Sequence, residues 1–385
     1  MNESGVCSML GRGVAAILGP QSAFTSPHIG SLCDSFDIPH IETRWDYRRR
    51  VKDYSINLYP HWETLSAAYK ELVLAKQWKS FTVLFEEDEA LIRLQKLLQV
   101  TTDKKVKINV LKLQPEYRVV LKELKKKAIT NIVLDCKTSN IKKVLKQAQQ
   151  VGIMTDYHSY VIISLDLDTV DMEEFRHGGT NITAFQLVDP DSPHVRRAVM
   201  EWTFDGSSGS RLRNPNSLGN FQTKEIKIDT QTALIYDAVT LLSKSLHDLD
   251  RSQDMQVKPI SCDNGSPWAY GNSLINYMKM SSVEGLTGTV SFDRDGFRSD
   301  FKLNIIELTR KGIKKMSSDN GRRHTNSFSI TADNLSNKIT FNETGSVVDA
   351  QRSGWPKTTC TEDSSTILYV NQWYKVLKIH QDGAV

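Results

Sequence analysis

The sequence predicts an α/β protein of more than one lobe, on three observations. The chain has 385 residues, 39% hydrophobic and 24% charged, which is enough for two or three domains with real cores and too apolar for wholesale disorder. Short β-rich runs alternate with amphipathic windows from Gly13 to about Lys315, the pattern of parallel sheets covered by helices. Past Met316 the alternation fades, so 317–385 reads as an irregular tail.

Val14 to Leu18 is a continuous apolar run stopped by Gly19-Pro20, which suits a strand buried on both faces. A helix is predicted over Ser22 to Phe36, then strands at Ile38–Ile41 and Ser55–Leu58. Leu65, Ala68, Tyr69, Leu72 and Val73 recur at helical spacing and form one apolar stripe. Phe81–Phe85 is a strand, and Glu86-Glu87-Asp88-Glu89 place acids at the start of a helix carrying Leu91, Ile92, Leu94, Leu97 and Leu98. Ile132–Leu134 is the next strand. Asn140 is the expected cap of a helix with Ile141, Val144, Leu145, Ala148 and Val151 inward, and Gly152 sits where the left-handed closing residue belongs. Strands follow at Tyr160–Ile163 and Ile182–Phe185. Residues 204–227 read as a loop, and a long helix starts near Thr230 with Leu234, Ile235, Ala238, Val239, Leu242 and Leu246 inward. Gly288–Phe292 and Phe301–Ile305 flank Asp293-Arg294-Asp295-Gly296 and read as a hairpin.

Several function classes drop out. The net charge of +4 is mild and forms no nucleic-acid footprint; Lys122, Lys125, Lys126 and Lys127 read as one solvated helix face. No run reaches the 18 apolar residues of a membrane span, and Met1–Gly5 shows no signal-peptide pattern as written. Five cysteines without CxxC spacing and nine scattered histidines give no metal motif, and no cofactor is expected. Gly11-Arg12-Gly13-Val14-Ala15-Ala16 matches a dinucleotide fingerprint in letters only, because it lies before a strand rather than after one. The acids 86–89 are better read as a helix start than as an acid–base pair, and 206–211 has no nucleophile elbow, so no enzyme is predicted. Sequons at Asn2, Asn181, Asn264, Asn334 and Asn342 point toward secretion, Asn264 being the poorest acceptor because Pro267 follows it. Two lobes could close on an amino acid or similar small anion, with Ser22, Thr43 and Arg44 on the strand-end loops as contacts.

GVAAILGPQS (13–22), IPHIETRW (38–45), INLYPHWETLSAAYKELV (56–73), FTVLFEEDEALIRLQKL (81–97), NIVLDC (131–136), LKQAQQVGIMTDYHSYVI (145–162), NITAF (181–185), TALIYDAV (232–239) and GLTGTVSFDRDGFRSDFKLNIIEL (285–308) resemble, in order, the amino-terminal domain of kainate-type ionotropic glutamate receptors, in detail an insect subunit. The resemblance covers about residues 5–316. It implies a bilobed clamshell of the type I periplasmic-binding-protein kind, with lobe 1 over 1–77 and 190–286 and lobe 2 over 78–189 and 287–316. The family's opening strand–helix–strand unit is not matched, which implies an N-terminally truncated first lobe. A disulfide from Cys7 to Cys262 is implied, with Cys33 and Cys136 as buried thiols and Cys360 unassigned. The implied role is pairing with the same or another glutamate receptor subunit through the helix over 22–36, with Phe24, His28, Ile29 and Leu32 on one face. The implied place is extracellular and postsynaptic, in a receptor whose pore and agonist site lie outside these residues. Asn181, Asn264, Asn334 and Asn342 are the implied glycan sites.

Overall fold

A computed structural model describes residues 3–48, 54–100, 106–205, 227–263, 265–316 and 328–330. Two sheets organise them. In the first, β1 (Ile17–Leu18), β2 (His40–Glu42) and β3 (Ser55–Pro60) run parallel. β11 (Phe297–Ser299) pairs parallel to β3, and β10 (Gly288–Phe292) and β9 (Val283–Gly285) complete it antiparallel. In the second, β5 (Lys107–Lys112), β4 (Ser80–Phe85), β6 (Asn131–Asp135), β7 (Ser159–Ile162) and β8 (Asn181–Gln186) are parallel neighbours in that order. β12 (Phe301–Thr309) runs antiparallel to β8 and is paired by β13 (Gly312–Lys315) and β14 (Phe328–Ile330). Strands β4, β6, β7 and β8 are buried on both faces, as apolar runs in a helix-covered parallel sheet must be.

Ten helices cover the sheets among the described residues: α1 (Glu3–Leu10), α2 (Ser26–Ser35), α3 (Trp62–Ala75), α4 (Ala90–Arg93), α5 (Gln95–Leu98), α6 (Tyr117–Lys126), α7 (Thr138–Val151), α8 (Pro193–Asp205), α9 (Thr230–Ser252) and α10 (Gly271–Met280). The predicted helix over 90–98 is two short turns broken at Leu94, whose φ of −102° and ψ of 13° leave the helical region. α7 ends as predicted, with Gly152 at φ +82° accepting the conformation that a side chain resists, but Lys137 rather than Asn140 is its N-cap. The Gly11–Ala16 segment does follow a helix and precede β1, the polarity opposite to a dinucleotide site. Ile235, expected inward, is 38% exposed.

The lobe boundaries differ from expectation at two crossings. α3 was expected in the first lobe, but it lies on the second sheet: Tyr69 packs on Phe185 of β8 with ring centroids 4.9 Å apart. Lys76 just beyond it donates to Asn181 Oδ1 at 2.8 Å and Thr183 Oγ1 at 2.9 Å. The first crossing is therefore at Pro60–His61, not 77. At the third, β10 and β11 form the hairpin around Asp293–Gly296 and hydrogen-bond into the first sheet. Only β12 enters the second, so the crossing is at Asp300, whose φ of +54° turns the chain, not at 287. Between them, α8 places Val195 and Ala198 against Ile228, Ala233 and Leu286, on the first-sheet side.

Two devices fix the first sheet. The Cys7–Cys262 disulfide is present; beside it Ile260 N donates to Leu10 O at 2.9 Å, and Val6 and Leu10 are buried. Cys33 and Cys136 are buried outside any disulfide. The second device is Arg298, which is 1% exposed. It donates to Thr287 Oγ1 at 2.7 Å, to the carbonyls of Thr287 and Thr289 at 2.9 Å each, and to Leu58 O at 3.3 Å. Thr287 Oγ1 in turn donates to Asp237 of α9, which also accepts from Leu286 N at 2.6 Å and Thr287 N at 3.0 Å. Burial lowers the Arg298 guanidinium to about 10 and raises the Asp237 carboxyl, while each partner's charge opposes the shift of the other.

Two outcomes follow. Replacing Cys7 and Cys262 together by Ser opens a loop of 255 residues, and urea unfolding should show a loss of about 2–5 kcal/mol. Arg298→Met should cost about 3–5 kcal/mol because it strands the Asp237 charge. Adding Asp237→Asn should recover part of that loss, and simple additivity in the double-mutant cycle would show that the two groups do not act together.

Candidate functional site

The predicted pairing helix starts at Ser26 rather than Ser22, so Phe24 stands in the turn before α2. Phe24 is 80% exposed, and the ring of exposed His28 meets it edge-on with centroids 6.0 Å apart. Leu32, two helical steps further on, is half-buried against the core. Ile29 does not belong to that face: it is 1% exposed and packs inward. At about 100° per residue, 28 and 32 lie about 40° apart on α2, whereas 29 is turned about 100° from 28, toward the core.

The other candidate is the cleft between the sheets, at the carboxyl ends of β4, β6 and β7, where parallel strands place ligands. A cavity of about 200 Å³ lies there, with Glu86, Asp135, Cys136 and Asp166 on the second-sheet side and Tyr59 and Thr230 on the first. Arg93 Nε stands 3.2 Å from Asp135 Oδ2, and its guanidinium carbon lies 4.8 Å from the ring centre of Trp45, on the loop after β2. Asp166 Oδ1 accepts from Thr230 N, the first residue of α9, at 2.7 Å. Glu86 is engaged by Tyr117 Oη, Lys137 N and Asn140 Nδ2, and Glu87 by Lys137 Nζ at 3.1 Å.

The expected ligand contacts lie elsewhere. Arg44 is held at 3.1 Å by Asp46 and 3.6 Å by Glu42, and it is not among the residues lining the cavity. Thr43 is buried and accepts from Gln21 Nε2 at 2.8 Å and Gln231 Nε2 at 3.0 Å. Ser22 is exposed, its Oγ 3.4 Å from Thr25 N. The cleft guanidinium is Arg93, paired with Asp135; Asp135 and Asp166 both stand just past predicted strands, a position that signals a crevice. Of the sequons, Asn181 opens β8 with Nδ2 donating to Glu307 and Oδ1 accepting from Lys76. Asn264, Asn334 and Asn342, like Asn2 and Cys360, lie outside the described residues.

Burial dominates the cleft's electrostatics. It raises the Tyr59 phenol to about 12, the Cys136 thiol to about 12 and the Asp135 carboxyl to about 6; Arg93 pulls Asp135 back down while Glu87 and Glu86 push it up. Because the folded Asp135 binds its proton more tightly than an unfolded aspartate, its contribution to stability is present at low pH and is lost as pH rises through about 6. Asp135→Asn should remove that slope. The stability of the variant relative to the parent should rise between pH 4 and 7 by ~3 kcal/mol at most, at ~1.4 kcal/mol per pKa unit. Thermal unfolding across that range reads it, and a difference that does not change with pH would show Asp135 to titrate normally.

Among the described residues no helix is long and apolar enough to cross a membrane, and no cluster of His, Cys, Asp and Glu could hold a metal ion. Comparison with known proteins agrees with the two-sheet architecture. Residues 2–311 match the family model described as "Receptor family ligand binding region". The mouse (Mus musculus) protein "Glutamate receptor ionotropic, kainate 1" is 33% identical over 318 residues, 80% of this chain and 37% of its own length. Its rat (Rattus norvegicus) counterpart is 34% identical over 319 residues, 81% and 33%, and the human (Homo sapiens) one 34% over 315 residues, 80% and 33%. These relatives carry receptor names, and the chain spans about a third of their length. With four-fifths of its residues under that one family model, and a cleft formed where two parallel sheets meet, the chain belongs to the family of receptor ligand-binding regions.

Proposed function

We propose that this chain is the extracellular amino-terminal module of a kainate-like ionotropic glutamate receptor subunit, and that it pairs subunits, alike or different, through the outer face of α2. The similarity to kainate receptor 1 supports the class of receptor. The pairing role rests on one observation: Phe24, a large aromatic ring, is 80% exposed beside His28 on a helix whose opposite face is firmly in the core. An exposed aromatic of this kind is typical of a hot spot that a partner covers. Agonist binding and ion conduction would belong to parts of the subunit outside these residues, and the postsynaptic membrane would be its place. A catalytic role finds no support, since the carboxylates and the thiol of the cleft are consumed by capping, ion pairing and burial. The alternative of a clamshell binder for an amino acid loses its expected contacts, because Arg44 and Thr43 are already engaged.

Sedimentation equilibrium over a wide concentration range tests the pairing. A reversible dimer is expected, and Phe24→Asp should raise its Kd at least tenfold, a change of about 1.4 kcal/mol. Ile29→Ala, by contrast, should cost about 2–4 kcal/mol of folding stability and leave the dimer constant unchanged. A parent chain that stays monomeric at high concentration, or a Phe24→Asp variant that pairs normally, would sink the reading.

A further inference from the structure

A clamshell that closes on a ligand needs something in its cleft to bind both lobes, and here side chains of the chain itself reach across the cleft beside the cavity of about 200 Å³ that they line. Asp166, just past β7 of the second sheet, directs its carboxylate at Thr230 N, 2.7 Å away on the opposite side of the cleft. Thr230 begins α9, a helix of 23 residues whose first-turn amides have no partner within the helix and whose dipole favours an anion there. Asp229, the helix's own cap, already serves Thr232 N at 2.6 Å, so the carboxylate from the second lobe completes the cap. Arg93, from α4 of the second lobe, lays its guanidinium on Trp45 of the first at 4.8 Å, and Asp135 of its own lobe holds it by an ion pair at 3.2 Å. Lys227, before α9, adds a bond to the carbonyl of Asp168. Tyr59 of β3 lies buried within the field of all three groups, Arg93, Asp166 and Asp135.

We propose that these groups form a built-in latch: Asp166 takes the anion position at the start of α9 and Arg93 the cation position over Trp45, so the lobes stay closed without any ligand. An amino acid offers the same pair of charges, and to enter it would have to displace both side chains, each tethered at effectively high local concentration. Closure is therefore the resting state of this domain, and the angle between its lobes is set by the chain rather than by a dissolved molecule. The inference concerns the cleft alone and stands or falls independently of pairing through α2.

Spin labels at Arg251→Cys and Tyr157→Cys, on a Cys360→Ser background, test it by pulsed electron resonance. Arg251 is exposed at the far end of α9 and Tyr157 is 80% exposed before β7, so both sit away from the cleft and report the lobe angle. The parent should give one narrow distance distribution, unchanged by free glutamate or other amino acids. Replacing Asp166 and Arg93 together by Ala should broaden it and shift its mean by more than about 2 Å, the scale of a hinge rearrangement. If that chain fails to fold, the milder pair Asp166→Asn with Arg93→Lys, which weakens the cap and removes the flat stacking surface, should broaden the same distribution. Open and closed populations in the unliganded parent, narrowing on addition of an amino acid, would overturn the proposal. So would a distribution that the folded variants leave untouched.

Discussion

A guanidinium cut off from water governs the first lobe. Arg298 sits on β11 and reaches β3 through the carbonyl of Leu58, the β9–β10 turn through Thr287 and β10 itself through Thr289, and Thr287 passes the contact on to Asp237 of α9. Burying two opposite charges is costly unless both find partners, so the geometry has little freedom. The backbone is shaped to permit it: a Cβ at position 285 would stand 2.2 Å from Asp237 Oδ1, and the residue there is glycine. This one cluster ties three strands and α9, the longest helix among the described residues, into a single body. It also places the start of α9, since Thr230 is seven residues, about 10 Å of helix, from Asp237. Just beyond Arg298, at Asp300, the chain turns toward the second sheet. The cleft thus inherits its shape from a network that lies outside it.

Much of this was legible in the sequence, for physical reasons that also explain the rest. Strands β4, β6, β7 and β8 announce themselves as unbroken apolar runs because both faces are covered. β5 gave no such signal: it forms the edge of its sheet and most of its residues are exposed. The stripe on α3 reveals that one face is buried but not which sheet buries it, so periodicity alone does not locate the first crossing. Likewise Asp293–Gly296 reads as a turn, yet only the register shows that its second strand is β11 rather than β12. Arg44 is not among the residues lining the cleft cavity, and the local sequence carries the reason: Glu42 and Asp46 flank it two residues away on either side and pair with it. Arg93 carries no comparable mark, because its partners Asp135 and Trp45 are distant in sequence.

The resulting cleft is polar and its carboxylates are engaged by the chain, although Arg93 Nε and Asp135 Oδ2, 3.2 Å apart in an ion pair, are buried without a hydrogen bond. Glu86 spends its acceptors on Tyr117, Lys137 and Asn140, Asp135 on Arg93, and Asp166 on α9. What remains is a cavity of about 200 Å³, below the 300–1,000 Å³ common for small-molecule sites. Burial has already raised Asp135, Asp166 and Tyr59, so the desolvation that a ligand would impose is in place before any ligand arrives. Such a cleft resembles the occupied state of a binding protein in its energetics while being made from one chain.

A closed cleft also bears on pairing. Covering Phe24 in both subunits of a symmetric dimer yields only about 3–6 kcal/mol, while association costs about 4–15 kcal/mol in lost freedom. The α2 face is therefore an anchor that needs further area around it. Exposed apolar side chains on the other lobe, such as Val110 on the edge strand β5 and Val119 on α6, at 42% and 58% exposure, can contribute only if they meet the partner together with α2. Were the lobes free to swing, each dimer would have to freeze that hinge and give up part of its binding energy doing so. With Asp166 and Arg93 holding the angle beforehand, the cost falls within folding instead of association, and the two halves of the surface reach a partner as one rigid piece.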